Sequence, residues 1–434
     1  MCMLFGTAKF NQDNHLEIGG VDTTELVKEY GSPLFVYDVA HIRQMARGFK
    51  QTFEEMKLKN KVIYASKAFS CLAIYDLLKE ESLSCDVVSG GELFTALKGG
   101  FPASEIEFHG NNKTAVELRE AVAAGIGTII IDNFYEIELL SSILHEAGKK
   151  QKVLFRVSPG IEAETHEYIL TGQEDSKFGF DVASGQAEQA LQMLLNDDAF
   201  EVAGVHCHIG SQIFDTTGFS LAADKMIELL AAWTEAYQFE AKILNVGGGF
   251  GIRYTSSNDP LPPAEFVKII AAKIQEHWKK ISYPLPEIQI EPGRSIVAEA
   301  GTTLYTVGSQ KEIPGIRNYV SVDGGMGDNI RPALYEAEYD AHLANRAGDN
   351  PEKIRLVGKY CESGDILIRN IEMPRLVPGD LVALTSTGAY GYSMASNYNR
   401  NLKPAVVFVE DGAATLVVRR ETYEDLIALD VPIK

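Results

Sequence analysis

Short runs rich in Val and Ile recur through residues 60–295, each followed by a stretch of helical length with an apolar stripe. The runs are Lys61–Ser66, Ser84–Val88, Ile106–His109, Thr128–Asp132, Val153–Val157, Val202–His208, Ile243–Val246 and Glu287–Glu291. They are continuously apolar rather than alternating, which predicts strands covered on both faces, as in a parallel sheet. Between them lie amphipathic stretches such as Thr114–Ala123, Asn133–Ala147, Thr217–Tyr237 and Pro263–Lys279, which predict helices. Eight strand–helix units of this kind predict a closed (β/α)8 barrel, with an open doubly wound sheet as the alternative. After Arg294 the rhythm changes to short strands without helices: Thr302–Val307, Tyr319–Val322, Ile354–Val357, Ile366–Ile371, Leu381–Leu384 and Val406–Val409. Asp411-Gly412 marks a tight hairpin turn. The first 37 residues look similar, with alternation over Leu4–Phe10 and a turn near Asn11–Asn14.

This pattern predicts an α/β TIM barrel over residues 38–295. A mostly-β second domain, sandwich- or barrel-like, is predicted from residues 1–37 and 296–434. The longest insertion in the barrel, Gly160–Phe180, is predicted to fold over its mouth.

Composition narrows the partners. The chain has 434 residues, 45% hydrophobic and 23% charged, enough to bury a large core without staples. Sixty acidic against forty basic residues leave a formal charge of −20, which argues against nucleic acid and anionic membrane as partners. A small anionic ligand remains compatible, because a few backbone amides can hold one. No apolar run approaches the ~18 residues of a membrane span. Met1–Phe10 lacks the basic start and apolar core of a signal peptide. The five cysteines, Cys2, Cys71, Cys85, Cys207 and Cys361, are widely spaced and form no CxxC, which points to a reducing cytoplasm rather than to disulfides or structural zinc.

Barrel enzymes carry their chemistry at the C-terminal ends of the strands, and the unusual residues of this chain fall there. Lys67 follows the first run, Asp86 and Ser89-Gly90-Gly91 the second, His109-Gly110-Asn111-Asn112 the third and Arg156 the fifth. His206, Cys207 and His208 with Gly210-Ser211 close the sixth, Gly247-Gly248-Gly249-Phe250-Gly251 the seventh, and Glu291-Pro292-Gly293-Arg294 the eighth. Without Cβ atoms, Gly247–Gly249 let backbone amides close on an anion, and Arg294 can add a charged fork; a tight turn needing positive φ is the other reading. Lys67 at a barrel mouth is placed for desolvation and Schiff-base chemistry. Glu291 can pair with a protonated pyridine nitrogen, which favours pyridoxal phosphate over an aldol-type lysine. His206 and His208, two apart, admit a metal site, but no third ligand stands out; His208 suits stacking on a cofactor ring and His206 the core. Later in the chain, Arg331-Pro332 with Tyr335, Cys361-Glu362-Ser363 with Asp365, and Gly388-Ala389-Tyr390 fall in predicted loops or at a strand end.

Nearly the whole chain resembles the fold type III pyridoxal-phosphate decarboxylases, and within them the branch acting on diaminopimelate. The resemblance rests on Tyr64-Ala65-Ser66-Lys67-Ala68, Thr165-His166-Glu167-Tyr168-Ile169 with Thr171-Gly172, Ser176-Lys177-Phe178-Gly179, and His206-Cys207-His208-Ile209-Gly210-Ser211-Gln212. It continues through the glycine run, Glu291–Arg294, Arg331-Pro332-Ala333-Leu334-Tyr335 and Cys361-Glu362-Ser363-Gly364-Asp365. It implies an alanine-racemase-like barrel plus β domain, with pyridoxal 5'-phosphate as cofactor. Lys67 would link covalently to the cofactor, His208 stack on its ring, Glu291 hold its pyridine N–H, and Ser211 and Gly248 lie near its phosphate. Together with the strand-end reading, the cofactor-binding set is Lys67, Asp86, His208, Ser211, Gly247, Gly248, Gly249, Glu291, Gly293, Arg294 and Tyr390. Arg294, Arg331 and Tyr335 would take the distal carboxylate of the substrate, and Glu362 its distal ammonium, with Ser363 and Tyr390 completing the substrate set. Cys361 would act as proton donor in the partner subunit's site, so the implied active unit is a homodimer. Lys67, His208, Glu291 and Cys361 form the implied catalytic set.

An ornithine-type substrate has no distal carboxylate and would leave Arg331 unpaired, so the expected reaction is decarboxylation of meso-2,6-diaminopimelate to lysine, the last step of lysine biosynthesis. Relatives acting on ornithine, arginine or carboxynorspermidine are the near rivals. A non-catalytic partner-binding homologue and an aldolase-type phosphate barrel are the distant ones. Two positions depart from the family pattern. Gly358-Lys359-Tyr360 stands where Gly-Pro is frequent, and Tyr339 stands where a histidine often follows the Arg331–Tyr335 motif.

Overall fold

The computed structural model describes residues 4–161, 176–279, 281 and 284–433. It divides into two compact units, one of residues 45–251 with 260–295, the other of residues up to 44 with 252–259 and 296 onward.

The first unit is a closed barrel. Its strands are Asn60–Ala65, Ser84–Val87, Ile106–Phe108, Thr128–Ile131, Gln151–Ser158, Phe200–His206, Ile243–Asn245 and Glu287–Ile290. Each is parallel to the next, and Ile288 beside Asn60 closes the ring between eighth and first. Two of the runs read as buried on both faces are fully so, every residue of Thr128–Ile131 and of Ile243–Asn245 being buried. Helices follow the strands in alternation, and local chemistry starts them. Thr114 and Glu117 form a reciprocal capping box on Ala115–Ala124, while Ser89 and Asn133 cap the two neighbouring helices. All three caps sit at the strand-end side, so the turns that carry candidate chemistry are pinned by the helices they precede.

The glycine run after the seventh strand is anchored by its one large residue. Phe250 packs 5.2 Å from Phe49, 5.3 Å from Phe219 and 5.3 Å from Phe266, measured between ring centroids. Of the insertion predicted over the mouth, residues 162–175 lie outside the described residues, and with them the Thr165–Ile169 and Thr171-Gly172 motifs. At its end a short strand lies parallel to the fifth barrel strand, where Phe180 pairs with Val157 and Asp181 with Ser158.

The second unit is mostly β. Its long strand Gly301–Ile313 pairs through its first half with Leu34–Asp38 and Leu381–Leu384, and through its second half with Arg317–Val322. Pro351–Val357 and Ile366–Pro374 extend one side; Ala405–Glu410 and Ala413–Val418 extend the other. The predicted hairpin turn is present, with Asp411 at φ 51° and Gly412 at φ 79°, the twist that joins two antiparallel strands most tightly. Two predictions for this region are corrected. The N-terminal segment holds a helix, Thr23–Tyr30, capped by Asp22 accepting from the Thr24 amide. Arg331–Tyr335 is a short helix rather than a loop, since proline is tolerated in a first helical turn.

Candidate active site

Four strand ends converge on one carboxylate. Glu291 follows the eighth strand, and its side chain is buried. His109, after the third strand, brings Nε2 to 3.0 Å from Oε1. His206, ending the sixth, brings Nε2 to 3.0 Å from Oε2. Asn245, ending the seventh, donates its amide to Oε1 at 2.8 Å. Burial alone would raise this carboxyl, but the two imidazoles outweigh it and hold Glu291 well below the ordinary carboxylate range. Burial also depresses both imidazoles, His206 to about 4, against the pull of Glu291. At neutral pH two uncharged rings therefore face one charged carboxylate, an arrangement that assigns the protons to Nε2. Arg156, buried and 4.4 Å above the Phe178 ring, adds a positive charge that depresses His109, His206 and His208 further.

The paired histidines of the sequence reading separate. His206 is buried and satisfied by Glu291, as the core reading expects, while His208 Nδ1 accepts the Gly248 amide at 3.2 Å. His109, His206 and Glu291 do bring possible ligand atoms within 4.8 Å of one another. The carboxylate there accepts hydrogen bonds from His206 and Asn245, with His109 Nε2 3.0 Å away, so proton donors rather than lone pairs converge.

In the glycine loop, Gly247 and Gly249 have φ of 71° and 100°. A Cβ on Gly247, Gly248 or Gly249 would come within 2.5 Å of Cys207 O, 2.0 Å of Glu291 O or 2.1 Å of Gly210 O. Neighbouring backbone therefore demands glycine independently of any anion. Two of the three amides read from sequence as an anion cradle are committed internally: Gly247 to Asn245 Oδ1 at 2.9 Å, and Gly248 to His208. The positive φ values and close backbone approaches are what the turn reading expects. Gly293 is similarly constrained, a Cβ meeting that of Ala65 at 2.7 Å. Arg294 donates to Ser211 Oγ at 3.0 Å, joining the ends of the eighth and sixth strands.

Lys67 sits in the turn Ser66–Ala68 and is exposed rather than desolvated, because the turn carries it past the apolar end of its strand. Its charge still depresses His208 and partly offsets the rise of Asp86. Asp86 is pushed well above the carboxylate range by burial and then by the Glu291 charge. Its Oδ1 is buried with no hydrogen-bond partner among the described residues.

In the β unit, Arg331 is buried and donates to Tyr339 Oη at 2.7 Å. Tyr335, half-buried, ends the same helix. Cys361, Glu362 and Ser363 are exposed on one loop, where the Cys361 amide is fixed by Asn399 Oδ1 at 2.8 Å. Tyr360, at the departure from the family pattern, is clamped: its amide donates to Asp365 Oδ2 at 2.8 Å, and its hydroxyl reaches Asp328. Tyr390 has φ of 58°, an uncommon conformation for a non-glycine residue and one that aims its side chain specifically. Cys71, Cys85 and Cys207 are buried and their thiols pushed upward by burial; Cys361 is the exposed cysteine among the described residues, and Cys2 lies outside them.

Comparison with known proteins places these features. The family profile described as pyridoxal-dependent decarboxylase, pyridoxal binding domain, matches residues 39–298. The chain belongs to the pyridoxal-dependent decarboxylase family. It is 58% identical to the diaminopimelate decarboxylase of Bacillus subtilis strain 168 over 432 residues, 99% of this chain and 98% of that protein. It is 46% identical to the diaminopimelate decarboxylase of Staphylococcus aureus strain COL, over 98% of this chain and 99% of that protein. The crystal structure of diaminopimelate decarboxylase from M. jannaschii in complex with L-lysine superposes with a TM-score of 0.92 at 35% identity, covering 99% of each chain. No helix among the described residues is long and apolar enough to cross a membrane.

The residues present fit the cofactor of a pyridoxal-dependent decarboxylase. A carboxylate kept charged beneath a barrel mouth, an exposed lysine, an Arg–Ser pair and a buried Asp86 oxygen without a partner supply the acceptors, amine and cation such a ring and phosphate require. Asn245 and Tyr254 escaped the sequence reading: the first is one polar residue in an apolar strand, and the second, whose ring lies 4.7 Å from the Arg331 guanidinium, lies in an irregular segment without a motif.

Proposed function

We propose that this member of the pyridoxal-dependent decarboxylases converts meso-2,6-diaminopimelate to L-lysine and carbon dioxide with pyridoxal 5'-phosphate. The observation that carries the reading is Glu291, a buried carboxylate held charged by His109, His206 and Asn245. Lys67 would hold the cofactor covalently through Nζ, and His208 would lie against its ring. Ser211, Arg294 and the backbone of Gly247, Gly248, Gly249 and Gly293 would hold the phosphate, with Asp86 and Tyr390 completing the pocket. When bound, the group supplies a protonated pyridine that accepts the electron pair released as carbon dioxide leaves. Glu291 keeps a ring proton in place because its own charge survives at neutral pH.

Arg294, Arg331 and Tyr335 would bind the far carboxylate of the substrate, and Glu362 with Ser363 its far ammonium, pairings that suit charge and geometry. Cys361 would donate the proton to the α-carbon; its exposure on a loop fixed by Asn399 supports this. The proposed active unit is a homodimer in the cytoplasm, the barrel of one subunit binding cofactor and the β domain of the other lending Cys361 and Glu362. Borohydride treatment of protein loaded with the cofactor should fix it to Lys67, seen as one modified peptide. Turnover should yield lysine from diaminopimelate; turnover of ornithine with none on diaminopimelate overturns the reading.

A further inference from the structure

Arg331 is a buried cation whose surroundings are aromatic. Its guanidinium lies 4.7 Å from the ring centroid of Tyr254 and 5.7 Å from that of Tyr339, and those two rings meet edge to face at 5.3 Å. Burial alone would lower it; the tyrosines Tyr254, Tyr339 and Tyr390 act the other way and raise it. Among the described residues no carboxylate forms an ion pair with it. A buried guanidinium without a counter-charge is expensive unless a ligand supplies one. One of its five N–H groups is satisfied by the Tyr339 oxygen at 2.7 Å, and Tyr339 in turn reaches Asn329 Oδ1 at 3.5 Å. Asn329 is itself buried, and its Nδ2 has no hydrogen-bond partner among the described residues.

We propose that Tyr339 is a specificity-determining positioning residue, which fixes the plane of Arg331 so that its remaining N–H edge meets the far carboxylate of a dicarboxylic amino acid. A phenol suits this task because it satisfies one N–H without neutralising the cation. A carboxylate at position 339 would pair with Arg331 and remove the charge the substrate needs. The inference rests on the reading of Arg331 as the far-carboxylate ligand, and a double-mutant cycle separates the two. Steady-state kinetics with diaminopimelate would be measured on the cofactor-loaded Arg331→Gln, Tyr339→Phe and doubly substituted enzymes. Tyr339→Phe should raise KM about tenfold with kcat within about twofold, as loss of a hydrogen bond to a charged group predicts. Arg331→Gln should raise KM further, and adding Tyr339→Phe to it should change nothing, because the tyrosine acts only through the arginine. If Arg331→Gln leaves KM unchanged, the reading of Arg331 falls and takes this proposal with it. If Arg331→Gln raises KM but Tyr339→Phe does not, or if the two effects multiply, Arg331 stands and the positioning role of Tyr339 is overturned.

Discussion

Glu291 has a carboxylate whose charge is kept by its donors, so removing one donor should be visible as a titration. Burial opposes the charge; His109, His206 and Asn245 supply it. In His206→Ala the carboxyl should rise, and the acid limb of the kcat/KM profile should move toward neutrality by about one pH unit while the alkaline limb stays. An acid limb that does not move would show that other groups hold the charge. The place of this carboxylate was legible because it ends an apolar strand beside a proline and glycine. The sequence could not show that His206 and His109, 97 positions apart, meet the two oxygens of one carboxylate, since such pairing is created only by closure of the barrel. Lys67 illustrates the converse: its strand-end position was readable, its exposure was not, because accessibility depends on the turn beyond the strand.

Among the elements, the loop between the seventh strand and its helix makes the sharpest demand on sequence. Gly248→Ala would put a Cβ 2.0 Å from the Glu291 carbonyl, and a loss of at least ~2 kcal/mol of stability is expected by thermal unfolding. Gly91→Ala is the control, its nearest neighbour being Ser89 Oγ at 3.7 Å in a helix; it should be neutral or stabilising. Inside the third strand, Glu107 is fully buried, with neither carboxyl oxygen hydrogen-bonded. Burial lifts it to about 7, opposed by Lys61 at 3.6 Å and reinforced by Glu291. A raised folded-state value means stability is complete below the unfolded value of 4.5 and is lost as pH climbs through about 7. Glu107→Gln should remove that slope, worth roughly 3 kcal/mol across the window; identical pH dependence in both proteins would refute it. In the second unit Thr302–Val307 is only part of Gly301–Ile313, whereas the barrel strands were legible from apolar runs to within a residue or two. The helix Arg331–Tyr335 was not, because five residues carry too little periodicity to announce a helix.

For the whole molecule, the proposal that Cys361 serves the partner's site gives a sharing experiment. Lys67→Ala and Cys361→Ala should each be nearly inactive alone. Co-expressed, random pairing makes half the dimers mixed, each with one intact site, and about a quarter of wild-type turnover should return. A mixture no better than its components would mean each subunit supplies its own cysteine. Fold class was readable from alternation along the chain; the assembly was suggested only by resemblance, since no periodicity encodes which faces meet.

Strand Leu34–Asp38 lies between Gly301–Ile313 and Ala405–Glu410, and all five of its residues are buried. A ribosome adding about 5–20 residues per second therefore releases this segment tens of seconds before either neighbour has been synthesised. Throughout that interval both edges of a sticky apolar peptide stand open while the barrel is being made behind it. Destabilised late strands should therefore show first as insoluble chains rather than as slow enzyme.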